Sequence, residues 1–203
     1  HQVRVKAELA PEETADSAGK DAADGCVRDT VLLVKAHQKA VARIPMTVKN
    51  PVLWDADHTF LYQVKAQLFD MGTFGVSLNP AQGEPLCDEA DTWTGIRTVT
   101  ADSTHGLRVN GRSLKLKGGC IHHDNGLLGA VSLYDSEYRK LKLLKDAGFN
   151  AVRLAHNPPS RELLEACDRI GLYVFDEAFD AWGFSKQAGD YSQFFEDHWK
   201  EDM

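Results

Sequence analysis

Arg153-Leu154-Ala155-His156-Asn157-Pro158-Pro159 sets an arginine and a histidine at the end of an apolar, extended-type run. The two prolines forbid a strand from continuing. Leu172-Tyr173-Val174-Phe175 ends the same way, in Asp176-Glu177. A third candidate, Leu114-Lys115-Leu116-Lys117, leads through Gly118-Gly119-Cys120-Ile121 into His122-His123-Asp124. Titratable groups at the carboxyl ends of successive buried strands are how a parallel α/β barrel assembles an active site. The pattern points to chemistry as well as to structure.

Spacing limits what these groups do together. His122 and His123 are neighbours on an extended segment, so their side chains diverge and do not readily chelate one ion. At most one faces a pocket, and a packed loop histidine is the plainer reading of His123. Asp176 and Glu177 diverge for the same reason. They do not flank one bond as acid and nucleophile. Their structural alternative is a carboxylate pair held by Arg153 or by backbone N–H groups. Trp182 either stacks on the ring of a ligand or packs its loop, since tryptophan serves both roles.

The elements that must position these groups follow from periodicity. Asp135 and Ser136 are candidate helix caps, Glu137 suits a first turn, and Tyr138, Leu141 and Leu144 recur at helical spacing. Lys140, Lys142 and Lys145 among them read as a solvated face. Gly148 ends that helix and a strand from Asn150 to His156 follows. Ser160 caps a second helix with Leu163, Leu164, Cys167 and Ile170 as its stripe, and Gly171 closes it. Helix, glycine, strand occurs twice, which marks β/α units on a parallel sheet. Tyr191, Phe194, Phe195 and Trp199 form a further helical stripe that needs a cover.

The amino-terminal half has a different period. Phe60, Tyr62, Val64, Ala66 and Leu68 alternate with Leu61, Gln63, Lys65 and Gln67, giving one mostly dry and one mostly wet face. Val27 to Lys35 and Val41 to Val48 are further β-rich runs. Asn110-Gly111 between Leu107-Arg108-Val109 and Arg112 to Leu116 specifies a type I′ hairpin. No amphipathic helix is expected before Leu133. These features predict an antiparallel sandwich over residues 1–104 and the first part of a barrel over 105–203, with the boundary between Asp102 and Gly106.

Composition bounds the rest. The chain has 203 residues, 43% hydrophobic, with a net charge of -7. That length accommodates two domains, and the acidic balance argues against nucleic-acid binding. Glu12 to Gly25, rich in Ala, Asp, Glu and Gly, reads as a solvated loop. No run approaches a membrane span and no secretory signal is visible. Cys26, Cys87, Cys120 and Cys167 show no CxxC spacing, which favours free thiols and a cytoplasmic location.

Several landmarks in one order now resemble glycoside hydrolase family 2, the retaining β-galactosidases, β-glucuronidases and β-mannosidases. They are Asn50-Pro51-Val52-Leu53-Trp54, Phe60-Leu61-Tyr62, Gly95-Ile96-Arg97, Val109-Asn110-Gly111 and Lys117-Gly118 with His122-His123-Asp124. Gly148-Phe149-Asn150-Ala151-Val152-Arg153 with His156, then Cys167-Asp168 and Asp176-Glu177, complete the set. Asn157 departs from the family's tyrosine at that position.

The resemblance implies a fold, a reaction and roles. The fold is an immunoglobulin-like β-sandwich followed by a partial (β/α)8 barrel, since a whole barrel takes roughly 200 residues. The reaction is retaining, exo-acting hydrolysis of a glycoside, with a β-galactosidase as first choice. β-Glucuronidase, β-mannosidase or a non-catalytic sandwich module are the alternatives. His122, Asp124 and His156 would contact sugar hydroxyls, and Arg153 would support the nucleophile, with Asp176 and Glu177 in support. No catalytic residue is expected within the chain, because the family's acid/base and nucleophile glutamates would lie beyond Met203. The chain is thus expected to be a fragment, inactive alone and prone to self-association, with a carbohydrate partner in the parent enzyme and neither membrane nor nucleic acid. No cofactor is implied. Mg²⁺ stays open, with Asp180 in place but Trp182 where the metal-binding histidine would stand.

Overall fold

A computed structural model describes residues 1–12, 25–72 and 84–203. Most of the acidic stretch Glu12 to Gly25 therefore lies outside the described residues. Two compact units are present: one of residues 1–54 and 60–96, the other of residues 55–59 and 97–203.

The first unit holds one antiparallel sheet in the order β2-β1-β3-β4, from β1 (Gln2–Pro11), β2 (Cys26–Leu33), β3 (Tyr62–Asp70) and β4 (Leu86–Thr94). Alternation sorts its faces. Val5 is opposite Leu68, Ala7 opposite Ala66 and Leu9 opposite Val64, so the dry residues share one side. Lys65 on the other side pairs with Glu89 of β4 at 2.9 Å. Trp54, Leu61 and Tyr62 are buried, and the Tyr62 hydroxyl accepts from the Val52 N–H at 2.9 Å. The expected strand over Val41 to Val48 does not form. Pro45 removes a ladder donor there, and Val41 is left largely exposed. Among the described residues of this unit there is no second sheet, so the expected sandwich is represented by a single sheet.

The second unit begins with a small sheet, β5 (Val99–Asp102), β6 (Gly106–Val109) and β7 (Arg112–Ser113), in the order β5-β6-β7. Asn110 and Gly111 have φ of 50° and 76°, as a type I′ turn requires. Asp102 and Gly106 are paired, so the stretch expected to divide the domains is a hairpin, and the division falls between Ile96 and Arg97.

A parallel sheet follows in the order β10-β9-β8, from β8 (Gly118–Ile121), β9 (Ala151–Leu154) and β10 (Tyr173–Asp176). Leu114 to Lys117 stay outside β8. Instead the Asn150 side chain binds this segment, accepting from the Lys117 N–H at 2.7 Å and donating to the Lys115 carbonyl at 3.0 Å. The three strands are open, not closed into a barrel.

Helices α1 (Tyr134–Asp146) and α2 (Arg161–Ile170) cover one face. Leu141, Val152, Leu154, Leu163, Ala166, Cys167, Ile170 and Leu172 form the core between. Ser160 caps α2, its hydroxyl accepting from the Leu163 N–H at 3.1 Å. α1 begins two to three residues earlier than expected. Its N-cap is Leu133, while Asp135 lies in the first turn beside a buried Glu137. Leu164 of the expected α2 stripe is 37% exposed, and Ala166 takes its place in the core.

The lysine face is only partly solvated. Lys142 pairs with Asp146 in the open, but Lys145 donates to the carbonyls of Ala56 at 2.6 Å and Gly171 at 2.9 Å. That staple brings residues 55–59 against the end of α2. Gly171 is then doubly constrained, with φ of 85° and a hypothetical Cβ 2.2 Å from the Ala56 carbonyl oxygen. Gly148 has φ of 90° and open space around it. Gly148→Ala is expected to cost about 1–2 kcal/mol, the left-handed strain alone. Gly171→Ala should cost at least about 1 kcal/mol more, because backbone must move. Urea unfolding read by hydrogen exchange at β9 checks the pair, and equal costs would mean that the Ala56 contact relaxes freely.

Candidate active site

The register brings the three strand ends level, with Ile121 and Asp176 both opposite Leu154. One register back, Cys120, Arg153 and Phe175 are aligned on the face away from the helical core. Glu177 continues that face by alternation. Asp176 sits opposite Leu154, on the helix side, and is exposed. The expected support pair is thus divided, and only Glu177 meets Arg153.

Arg153 donates from Nε to Glu177 Oε1 at 2.8 Å, and its Nη2 donates to the same oxygen. Nη1 reaches the Cys120 sulfur at 3.1 Å. The second carboxylate oxygen, Oε2, is 2.9 Å from His156 Nδ1. A carboxylate oxygen accepts, so Nδ1 carries the proton, and the tautomer is set by Glu177. In that tautomer Nε2 is left as an acceptor for a hydroxyl. Asp180 Oδ1 lies 3.6 Å from the same Nδ1 and also pairs with Lys186 at 3.2 Å. The Ala155–His156 peptide bond is cis.

The His122 ring packs edge-on to His156 with centroids 5.5 Å apart. Asp124 follows on the same loop, held by its N–H donating to the His122 carbonyl at 2.8 Å. His122, His123, Asp124 and His156 are all exposed. Trp182 is half-exposed. Its ring lies 5.5 Å from that of Phe195 and 6.3 Å from that of Phe179. It packs its loop on one side and leaves the other open. Phe179 also stacks on Tyr191 at 4.7 Å, so the aromatic stripe of α3 (Ser192–Asp202) finds its cover in the β10–α3 loop. Phe194 stays half-exposed.

Two groups that organise the site were missed by periodicity. Buried Asp190 accepts from the N–H groups of Lys186 at 2.6 Å, Gln187 at 3.0 Å and Ser192 at 3.1 Å, fixing the loop that carries Trp182. With the Ser192 hydroxyl, these donors hold its carboxyl far below the usual carboxylate range. Glu137, buried in the first turn of α1, is the other. Ser, Asp and Gly clustering from Phe184 to Ser192 was the available signal for Asp190. Among the described residues, no three His, Cys, Asp or Glu side chains converge on a point that would hold a metal ion. Asp180 is engaged by Lys186, and Trp182 offers no ligand atom.

Residues 102–201 match the glycosyl hydrolases family 2 TIM barrel domain, and residues 2–76 match glycosyl hydrolases family 2. The chain belongs to glycoside hydrolase family 2. It is similar to a β-galactosidase of Bacteroides ovatus, 38% identical over 83% of this chain and 18% of that protein. It is also similar to a putative β-glucuronidase of Formosa agariphila, 36% identical over 84% of this chain and 16% of the relative. Among solved structures, a family 2 member from Bacteroides cellulosilyticus aligns with a TM-score of 0.74 and 38% identity, over all of this chain and 24% of the other. A β-glycosidase from Bacteroides vulgatus aligns at 0.73 and 29%, over 100% and 23%. The chain thus spans about a fifth of the length of these family members. Among the described residues, no helix is long and apolar enough to cross a membrane.

The electrostatics of Glu177 give a test. Arg153 above all, then His156, hold its carboxyl below the ordinary value of 4.5. A lowered folded pKa stabilises the fold fully above the unfolded value, and the contribution is lost as pH falls through the folded one. Carboxyl-carbon NMR should place the Glu177 midpoint below that of a model peptide. Arg153→Met should raise it, and an unmoved midpoint in that variant would show that the pair is screened out.

Proposed function

We propose that this chain forms the early-strand part of the sugar pocket of a retaining, exo-acting glycosidase, with terminal β-galactosides as substrate class. The observation that carries the reading is the Arg153–Glu177–His156 relay at the carboxyl edge of the sheet. An arginine holds a carboxylate ionised, and the carboxylate orients a histidine toward solvent. His122 and Asp124 stand on the neighbouring loop. Such groups hold hydroxyls whose bonds tighten as charge develops in an oxocarbenium-like transition state. Glu177 acts as an orienting group, since both of its oxygens are engaged. The acid/base and the nucleophile would be supplied by other glutamates of the complete enzyme. Similarity to the β-galactosidase of Bacteroides ovatus supports the substrate class. The near-equal similarity to a putative β-glucuronidase makes β-glucuronides the second reading.

The 203-residue chain is expected to give no turnover of nitrophenyl β-galactoside, β-glucuronide or β-mannoside. Turnover abolished by Glu177→Gln would instead make Glu177 catalytic. Half-exposed Phe194 and exposed Phe175 should make the chain associate, as size-exclusion chromatography would read. In the complete enzyme, His156→Ala should lower kcat/KM by about 2–4 kcal/mol of barrier with little change in melting temperature. Normal kinetics with a large loss of stability would give His156 a structural role only.

A further inference from the structure

Glu137 is a carboxylate with 3% of its surface exposed, in the first turn of α1. Burying a charge there is unfavourable unless donors surround it. Three do. Asn125 Nδ2 donates to Oε1 at 2.7 Å, Ser132 Oγ to Oε1 at 3.0 Å, and Lys140 Nζ lies 2.8 Å from Oε2. Burial pushes the Glu137 carboxyl up, but these bonds outweigh it and hold the group below its usual range.

The partners lead to the candidate site. Asn125 directly follows Asp124, and its side chain is used at both ends. Oδ1 accepts from Lys140 at 3.1 Å, and Nδ2 also donates to the Val131 carbonyl at 3.0 Å. Lys140 donates in addition to the Asp124 carbonyl at 3.4 Å. Ser132 Oγ is 2.6 Å from Ser160 Oγ, the cap of α2, four residues after His156. One buried carboxylate therefore joins the loop after β8, with His122 and Asp124, to the segment after β9, with His156. An apolar residue would fill the same space without a buried charge. What it would not do is fix the two loops relative to each other.

We propose that Glu137 is a positioning residue: through Asn125, Lys140 and Ser132 it sets the His122–Asp124 loop against the His156 segment for ligand binding. The ligand half of this inference rests on the sugar-pocket reading above. The positioning half does not.

The test uses the 203-residue chain, with Glu137→Gln and, as a second cut that leaves no buried charge unpaired, Asn125→Ala. Amide hydrogen exchange is followed at Asp124, Asn125 and Gly129, with Gly171 and Leu172 as distant references. Imidazole nitrogen spectra report His122 and His156. Both variants are expected to speed exchange at the three loop amides at least tenfold, to leave the two references within twofold, and to shift the His122 ring signals. Uniform acceleration in both variants, or no change in either, overturns the proposal. Methyl β-D-galactoside is then titrated into each protein, and the variants should bind at least fivefold more weakly than the parent chain. If the parent chain shows no perturbation by this sugar, nor by the glucuronide or mannoside, the sugar-pocket reading fails while the exchange result still decides the positioning role. Equal binding by parent and variants overturns the role in recognition.

Discussion

The ion pair between Arg153 and Glu177 is the interaction on which the upper edge of the parallel sheet depends. Each partner belongs to a different strand end, so the pair ties β9 to the end of β10. Arg153 stands on the sheet face away from the helical core, where Leu116, Ala151 and Phe175 line a largely apolar hollow. The side chain stays 40% exposed there, so pairing and not burial sets its direction. With Glu177 opposite, the charge is matched by two donors on one oxygen, and the second oxygen is free to hold His156. The order of dependence runs from arginine to carboxylate to histidine. Each step fixes the geometry of the next, and the carboxylate in the middle is the most shielded of the three.

The parts that were legible beforehand are those decided within a few residues of chain. Asn110-Gly111 encodes its turn because positive φ at both positions suits few other pairs. Ser160 and Gly171 mark the ends of α2 because capping is a contact between near neighbours. The strand-end residues His122, Arg153, His156 and Glu177 were visible because an apolar run that stops at a charge or a proline has a direction. What escaped was decided over longer distances. Lys145 looked solvated, since nothing in its own helix announces the carbonyls of Ala56 and Gly171. Asp176 and Glu177 looked like a pair, and only the register against β9 separates them. Val41 to Val48 has strand composition, but no ladder partner claims it and Pro45 weakens the case further. The start of α1 was misplaced because Asp135 and Ser136 are good caps in isolation. The helix instead starts where Glu137 reaches its buried partners.

Buried acids of the second unit share one strategy and serve different ends. Asp190 gathers backbone N–H groups, which ties a loop to itself and holds Trp182 beside Phe179 and Phe195. Glu137 gathers side chains from separate elements, which ties loops to one another. The first arrangement makes a segment stiff. The second makes the distance between segments stiff, and that distance is what a ligand spanning two loops would sense.

This difference bears on where reactivity belongs in such a site. A general acid must hold a proton at working pH and give it up to the leaving group. Glu177 is poorly suited to that, because Arg153 and His156 both favour its ionised form. A nucleophile must have an oxygen free to approach carbon. Glu177 has none, with Oε1 taken by the arginine and Oε2 by the histidine. Asp176 is oriented to the other side of the sheet. Asp124 is free, but one carboxylate does not make a retaining pair, which needs two about 5–5.5 Å apart. The groups assembled on these three strands are therefore better suited to hold and orient a polar ligand than to make or break a bond at carbon.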